Sequence, residues 1–240
     1  MKTVAIVQSN YIPWKGYFDL IRNVDEFILF DDVQYTRRDW RNRNKIKTAQ
    51  GMQWLTIPVE VKGKFLQKIN ETVVSDPNWN TTHLNAIRQN YARAPHFANY
   101  KTWLEGLYLG CTEKYLSHIN HRFMVEICKE LGITTPITWS SDYDIVEGKN
   151  QRLIHLCQQA GASVYISGPA ARDYMDLTQW HEAGIEVLFA NYDDYIEYHQ
   201  LYPPFNHFVT VLDLILNEGK AAPQFLLPRS SLTRVKVNGE

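Results

Sequence analysis

The first thirty residues constrain the fold most. "TVAIVQ" at 3–8 is an apolar run closing on a polar residue, the pattern of a strand buried on both faces of a parallel sheet. Pro13 and Gly16 interrupt it, and Tyr17, Phe18, Leu20, Ile21 and Val24 then recur at helical spacing. "EFILF" at 26–30 supplies a second strand. Strand, turn, helix and strand within thirty residues make a βαβ unit, so the chain is expected to build an α/β sheet.

The remainder extends this pattern around an interruption. "GMQWLTIPV" at 51–59 reads as a strand, with Lys62-Gly63-Lys64 as a mobile turn behind it. Ser75-Asp76-Pro77 opens an all-helical stretch, broken at Pro95, whose third helix covers about 114–131 and stops at Gly132. Strands at 136–141, 163–167 and 185–190 then alternate with helices at 150–160, 170–183 and 208–217. The expected organisation is an α/β core of residues 1–74 and 133–230, a helical insertion at 75–132 and a flexible tail at 231–240.

Composition narrows the function. With 240 residues, 45% of them hydrophobic and 21% charged, the chain can bury a core. A formal charge of −1 supplies no broad basic field for nucleic acid, DNA included, or for an anionic membrane, so any anion site must be local. Aromatics at 13% suit sugar or base stacking as well as core packing. Cys111, Cys128 and Cys157 lack metal-ligand spacing and read as buried thiols of a reducing compartment. There is no basic leader, and no apolar run long enough to span a bilayer, so a soluble cytoplasmic protein is expected.

Three stretches carry candidate chemistry. Gln8 to Tyr17 joins a strand to a helix. Gly16 there permits a phosphate to approach the helix N-terminus, although a plain connection has the same composition. "ISGPAARD" at 166–173 repeats the geometry and adds Arg172. Two such loops at the carboxyl edge of one sheet can clasp a triphosphate. The third stretch starts with Asp31, Asp32 and Gln34, straight off the second strand. It continues through Tyr35, Arg37, Arg38, Trp40, Arg41, Asn42, Arg43 and Lys45. Paired carboxylates can hold magnesium or orient an amine, while arginine forks take phosphates and aromatic faces take rings. The alternative is a solvated loop in which these charges pair with one another. His118 and His121 read as a polar helix face, and Cys157 as core. Asp213, amid apolar residues, is expected to be buried against one of the arginines.

Trp14-Lys15-Gly16-Tyr17 and Ile166 to Arg172 resemble the H-x-G-H turn and I-S-x-T-x-x-R segment of nucleotidylyl transferases of the class I synthetase-like superfamily. Both histidines and the threonine are absent. That resemblance implies a Rossmann-like, nucleotidylyl transferase-like core. Over nearly its whole length the chain also resembles the WbqC-like family, encoded in O-antigen and other surface-polysaccharide gene clusters. The matching residues include Gln8, Tyr11, Pro13, Trp14, Gly16, Tyr17 and Phe18, then Phe30 to Tyr35 and Asn42 to Thr48. Trp54 to Val59, Asn90-Tyr91 with Ala94, Pro95 and Phe97, Tyr165 to Pro169 with Tyr174, and Asp213-Leu214 with Asn217 and Gly219 complete the match. Ser9 departs from the Gln-Pro usual in the family.

The resemblance implies an enzyme of lipopolysaccharide biosynthesis that places a glycyl or other small acyl group on the amine of a nucleotide-linked amino sugar. ATP and Mg²⁺ would activate the carboxylate. Gln8, Tyr11, Trp14, Gly16, Tyr17, Ser167 and Gly168 would bind the nucleotide, with Lys15 and Arg172 stabilising its phosphates. Asp31 or Asp32 would hold the metal or accept the amine proton. Gln34, Tyr35, Arg38, Trp40, Asn42, Arg43 and Lys45 would bind the sugar nucleotide. An ATP-independent acyl or aminoacyl transferase and a non-catalytic module for glycan intermediates are the alternatives.

Overall fold

In the computed structural model, residues 1–173, 175–228, 230 and 232–234 are described, so Tyr174 and most of the tail lie outside the described residues. β1 (Thr3–Val7), α1 (Lys15–Arg22) and β2 (Glu26–Leu29) form the expected βαβ unit, with β1 and β2 parallel. β3 (Arg43–Thr48) and β4 (Gly51–Thr56) form a separate antiparallel hairpin. Next come α2 (Trp79–Tyr91), α3 (Phe97–Leu109) and α4 (Leu116–Glu130). The sheet then resumes with β5 (Ile137–Trp139), α5 (Lys149–Gln159), β6 (Val164–Ser167), α6 (Leu177–Glu182) and β7 (Glu186–Ala190). α7 (Val211–Glu218) follows, and β8 (Leu232–Arg234), within the stretch expected to be a free tail, pairs antiparallel with β7.

The main sheet has the order β5-β2-β1-β6-β7-β8, its first five strands parallel. This is a Rossmann-like α/β fold. The chain moves outward from β1 to β2 and β5, then returns through α5 to β6 on the other side of β1. Right-handed crossovers running in opposite directions put α1 and α5 on opposite faces. The two apolar clusters follow from this. Ala5, Phe27, Leu29 and Ile166 join α1 in one. Val4, Ile6, Ile28 and Tyr165 join Ile154 and Leu156 of α5 and Trp180 of α6 in the other. Helices α2, α3 and α4 bury Ile87, Leu104 and Phe123 in the same cluster as α1, so the helical segment extends that layer.

β3 lies in the stretch for which a solvated loop was the alternative reading. Arg43 and Lys45 alternate with Asn44, Ile46 and Thr48, which are buried; Lys47 is buried as well, its ammonium donating to Gln200 Oε1 at 3.0 Å and to the Pro204 carbonyl. Period-2 alternation turns one hairpin face inward, and the long stems of Arg43 and Lys45 lie along the other.

Candidate functional site

Because its strands are parallel, the sheet collects Gln8, Asp31-Asp32, Ser140 and Ser167-Gly168 at one carboxyl edge. Strand order reverses between β1 and β6, the place where open α/β sheets form a ligand crevice. A cleft of about 880 Å³ opens there, lined by Gln8, Trp14, Phe30, Ser167 and Gly168, and by Gly148, Lys149 and Arg152 at the start of α5. Gly148, at φ +94°, is the residue ahead of the helix and has no side chain with which to cap its first-turn N–H groups. An uncapped helix start with two cations beside it favours an anion. Gly168 leaves open space above its α-carbon.

The expected cations are elsewhere. Lys15, only 2% exposed, donates to the Ile196 carbonyl at 3.4 Å and lies 3.9 Å over the Tyr195 ring, outside the cleft. Burial lowers its pKa to about 8, against the pull of Asp19 one helical turn on. Asp19 accepts from the Tyr195 hydroxyl and from Leu227 N at 2.9 Å, and burial raises its pKa to about 8. Arg172 is exposed, its guanidinium 5.0 Å over the Phe189 ring, with Ala170 and Ala171 lining the cleft instead. Lys149 and Arg152 thus stand where Lys15 and Arg172 were expected. Gly148-Lys149, just ahead of a predicted helix, was the sequence signal for them.

The two aspartates support the edge from behind. Asp31, 1% exposed, accepts from Ser9 N at 2.7 Å and from the Ser117 hydroxyl. Burial raises its pKa, opposed by hydrogen bonds from Ser117 and Ser9 and by Arg41. Asp32 accepts from the Ser140 hydroxyl, and its second oxygen is 3.7 Å from Arg152 Nη1. Carboxylates closed around their own donors make a poor cradle for magnesium, which needs open oxygen ligands. Among the described residues no group of three His, Cys, Asp or Glu side chains is placed to hold a metal.

The remaining expected nucleotide residues divide between cleft and core. Tyr11 is buried, hydrogen-bonded to Tyr108 at 3.0 Å and His83 at 2.9 Å, and Tyr17 donates to the Gln8 carbonyl at 2.9 Å. A Cβ on Gly16 would fall 2.3 Å from the Trp14 indole, so Trp14 fills the space expected for a phosphate.

The third stretch forms a surface of rings and cations. Trp40 and Trp54, 41% and 39% exposed, lie 5.4 Å apart. The Arg43 guanidinium is 4.1 Å over Trp54, and the Lys45 ammonium 4.8 Å from Trp54 and 5.9 Å from Trp40. Among the described residues neither cation has a carboxylate within 4 Å. Beside them Trp14, Trp40, Phe208 and Pro13 enclose a cup of about 220 Å³ over Asn10 and Asn44. Trp14 therefore borders both cleft and cup.

The other members of that stretch have structural bonds. Gln34 donates to the Phe65 carbonyl and Asn42 to that of Ile57; Tyr35 is buried, and the exposed Arg38 offers its carbonyl to Arg43. Arg41 grips the loop after β1 through Asn10 Oδ1 and the Gln8 carbonyl. Asp213, expected against an arginine, instead accepts from Tyr91 and Tyr198 at 2.8 Å and from Gln200 at 2.9 Å. His118 and His121 flank Trp139.

Fold and edge define an α/β protein with a cleft at the topological switch point. The WbqC-like protein family model matches residues 8–225, and the chain belongs to that family. It is 52% identical over 226 residues to the uncharacterized protein Rv1507c of Mycobacterium tuberculosis, covering 94% of this chain and 98% of the relative. No solved structure matches the chain. No helix among the described residues is long and apolar enough to cross a membrane.

Proposed function

We propose that the protein joins a small acyl or aminoacyl group, such as glycyl, to the amine of a nucleotide-linked amino sugar used in a surface polysaccharide. One observation carries this reading: the large cleft and the aromatic cup share Trp14 as a wall. Joining two substrates requires adjacent sites that bring the reacting atoms together. The cleft has the volume of a nucleotide pocket, with Lys149, Arg152 and the α5 start as phosphate partners. The cup takes one ring, with Arg43 and Lys45 at hand for a pyrophosphate. The polysaccharide setting rests on the family resemblance.

ATP, supplied as its magnesium complex, would be the co-substrate that activates the carboxylate. The donor carboxylate attacks the α-phosphorus and pyrophosphate leaves. The sugar amine then attacks the acyl carbonyl, AMP leaves, and the ammonium proton passes to solvent. Arg152, backed by Asp32, steadies the phosphate charge. Lys15 and Arg172 lie outside the cleft and take no part in these steps, and Asp31 holds Ser9 in place.

The burial of Asp31 favours a second reading, a module that binds a glycan intermediate without chemistry. Pyrophosphate release separates the two. With ATP–Mg²⁺ and glycine the ligase releases about one pyrophosphate per site, and it turns over continuously only when a UDP- or dTDP-linked 4-amino sugar is also present. Arg152→Ala weakens ATP binding by about ten- to a hundred-fold, the loss of one charge-assisted contact. Sugar-nucleotide binding without pyrophosphate or amide product would leave the binding module or an ATP-independent transferase.

A further inference from the structure

The loop behind β4 presents a surface that the cleft does not use. Residues 62–66, Lys-Gly-Lys-Phe-Leu, are all exposed, with Phe65 at 79% and Leu66 at 76%. Scattered exposed apolar side chains are ordinary, but two adjacent large ones held outward are not. The loop is fixed rather than loose. Tyr35 N donates to the Gln67 carbonyl at 2.9 Å, the Gln34 amide to that of Phe65 at 2.9 Å, and Arg37 to that of Val61 at 2.9 Å. The Gln67 amide closes the loop on the Glu60 carbonyl at 2.7 Å. These bonds present Phe65 and Leu66 to solvent instead of folding them back.

Cations surround the tip. The Lys62 and Lys68 ammoniums and the Arg37 guanidinium have no carboxylate within 4 Å among the described residues, although Glu71 accepts from Lys68 N at 2.9 Å, while Lys64 pairs with Glu60 at 2.5 Å. Beside the loop is a hollow of about 680 Å³, lined by Lys64, Lys68, Glu71, Tyr115, His118 and Trp139. Two side chains are too few for a stable protein interface, which buries roughly 800 Å² on each partner. An apolar wedge ringed by lysines, with Tyr115 and Trp139 beside it, has the chemistry of the lipid headgroup boundary.

We infer that this loop docks the protein on an anionic bilayer, Phe65 and Leu66 entering the acyl boundary and Lys62, Lys68 and Arg37 meeting the headgroup phosphates. The docking is independent of the reaction proposed above. It does orient the cleft, because Ile69 N donates to the Val33 carbonyl at 3.0 Å and Asn70 N to that of Asp31 at 2.9 Å. These bonds tie the loop to the carboxyl edge where the cleft opens, so a docked protein holds that edge close to the membrane surface.

Vesicle flotation of the full chain tests the inference. The wild type is expected to float with phosphatidylcholine vesicles containing about one third phosphatidylglycerol, and not with phosphatidylcholine alone. Phe65→Ser with Leu66→Ser, and separately Lys62→Glu with Lys68→Glu, should each lower the partition coefficient by at least about tenfold. All four positions are exposed, so an unchanged melting temperature shows that these variants fold. Absence of the wild type from the anionic vesicle layer, or equal flotation of the variants, overturns the proposal. Concentration-dependent dimerisation lost in the serine variant also overturns it, assigning Phe65 and Leu66 to a second copy of the chain.

Discussion

Replacing Gly16 with alanine tests whether Trp14 is held as the wall between cleft and cup. A Cβ at position 16 falls 2.3 Å from Trp14 Cζ2 and 2.6 Å from Cη2. The indole has little room to lift away, because Tyr192, Tyr195 and Phe208 lie with ring centroids 4.8, 5.8 and 5.3 Å from it. Overpacking of this kind costs about 1–3 kcal/mol. Opposing it, alanine is the better helix former by up to about 1 kcal/mol, and by less in the first turn, where Gly16 sits. The steric cost wins, giving a net loss of about 1–2 kcal/mol and a fall in Tm of about 2–8 °C. In a Trp14→Ala background the clash is gone and the sign reverses, so Gly16→Ala becomes neutral to stabilising by up to about 1 kcal/mol. Urea unfolding of the four proteins in this double-mutant cycle measures the coupling between positions 14 and 16. Stabilisation by Gly16→Ala alone, or the same effect in both backgrounds, would refute the packing argument.

Asp31→Ala strips the acceptor from Ser9 N–H and the Ser117 hydroxyl; at about 1–3 kcal/mol for each unpaired donor, calorimetry should show Tm falling by about 5 °C or more. An unchanged Tm would contradict the supporting role given to Asp31. Asp19 titrates near 8 in the folded chain, above its ordinary 3.8, so the native carboxyl keeps its proton where the unfolded chain has lost it. Its contribution is therefore full below about pH 4 and is lost as pH rises towards 8. Asp19→Asn should remove that slope from denaturant midpoints measured across this window, whereas a variant with the wild-type slope would place the titration elsewhere. Trp54→Ala removes the ring beneath Arg43 and Lys45, costing less than about 1 kcal/mol of stability at so exposed a site, yet titration should show sugar-nucleotide binding weakened several-fold.

The parallel core was legible because each buried strand is an apolar run between turn residues, and the βαβ signature needs only local pattern. The hairpin was less so. Arg43, Lys45 and Lys47 outweigh the inward Asn44, Ile46 and Thr48 in any compositional reading, and only the Trp54 platform on the partner strand explains how cations line a strand face. The resemblance of Trp14-Lys15-Gly16-Tyr17 to a phosphate-binding turn implies that Lys15 serves a phosphate. Its direction is set by Tyr195 and Ile196, about 180 residues away in sequence, which no local pattern reveals. Arg172 likewise follows the loop motif in sequence, but its guanidinium stacks on Phe189.

The acidic pair after β2 makes more sense as a brace than as a catalytic claw. Asp31 fixes the backbone of Ser9, Arg41 fixes Gln8 and Asn10, and Asn120 donates to both Ser9 Oγ and the Arg41 carbonyl at 2.9 Å. Each of these groups is buried or half-buried, where every bond made between them holds the loop firmly, although Arg41 Nε and Asn120 Oδ1 are buried without a partner among the described residues. The β1 loop that meets both cleft and cup is thus set before any ligand arrives. Asp32 acts in parallel on the other side of the cleft, sitting between the Ser140 hydroxyl and Arg152. The loop after β1 and Arg152 of α5 are held by two consecutive residues and share one rigid support, which the two-substrate reaction proposed above would need. Carboxylates followed by arginines at a strand end therefore serve here to hold polar loops still at a sheet edge.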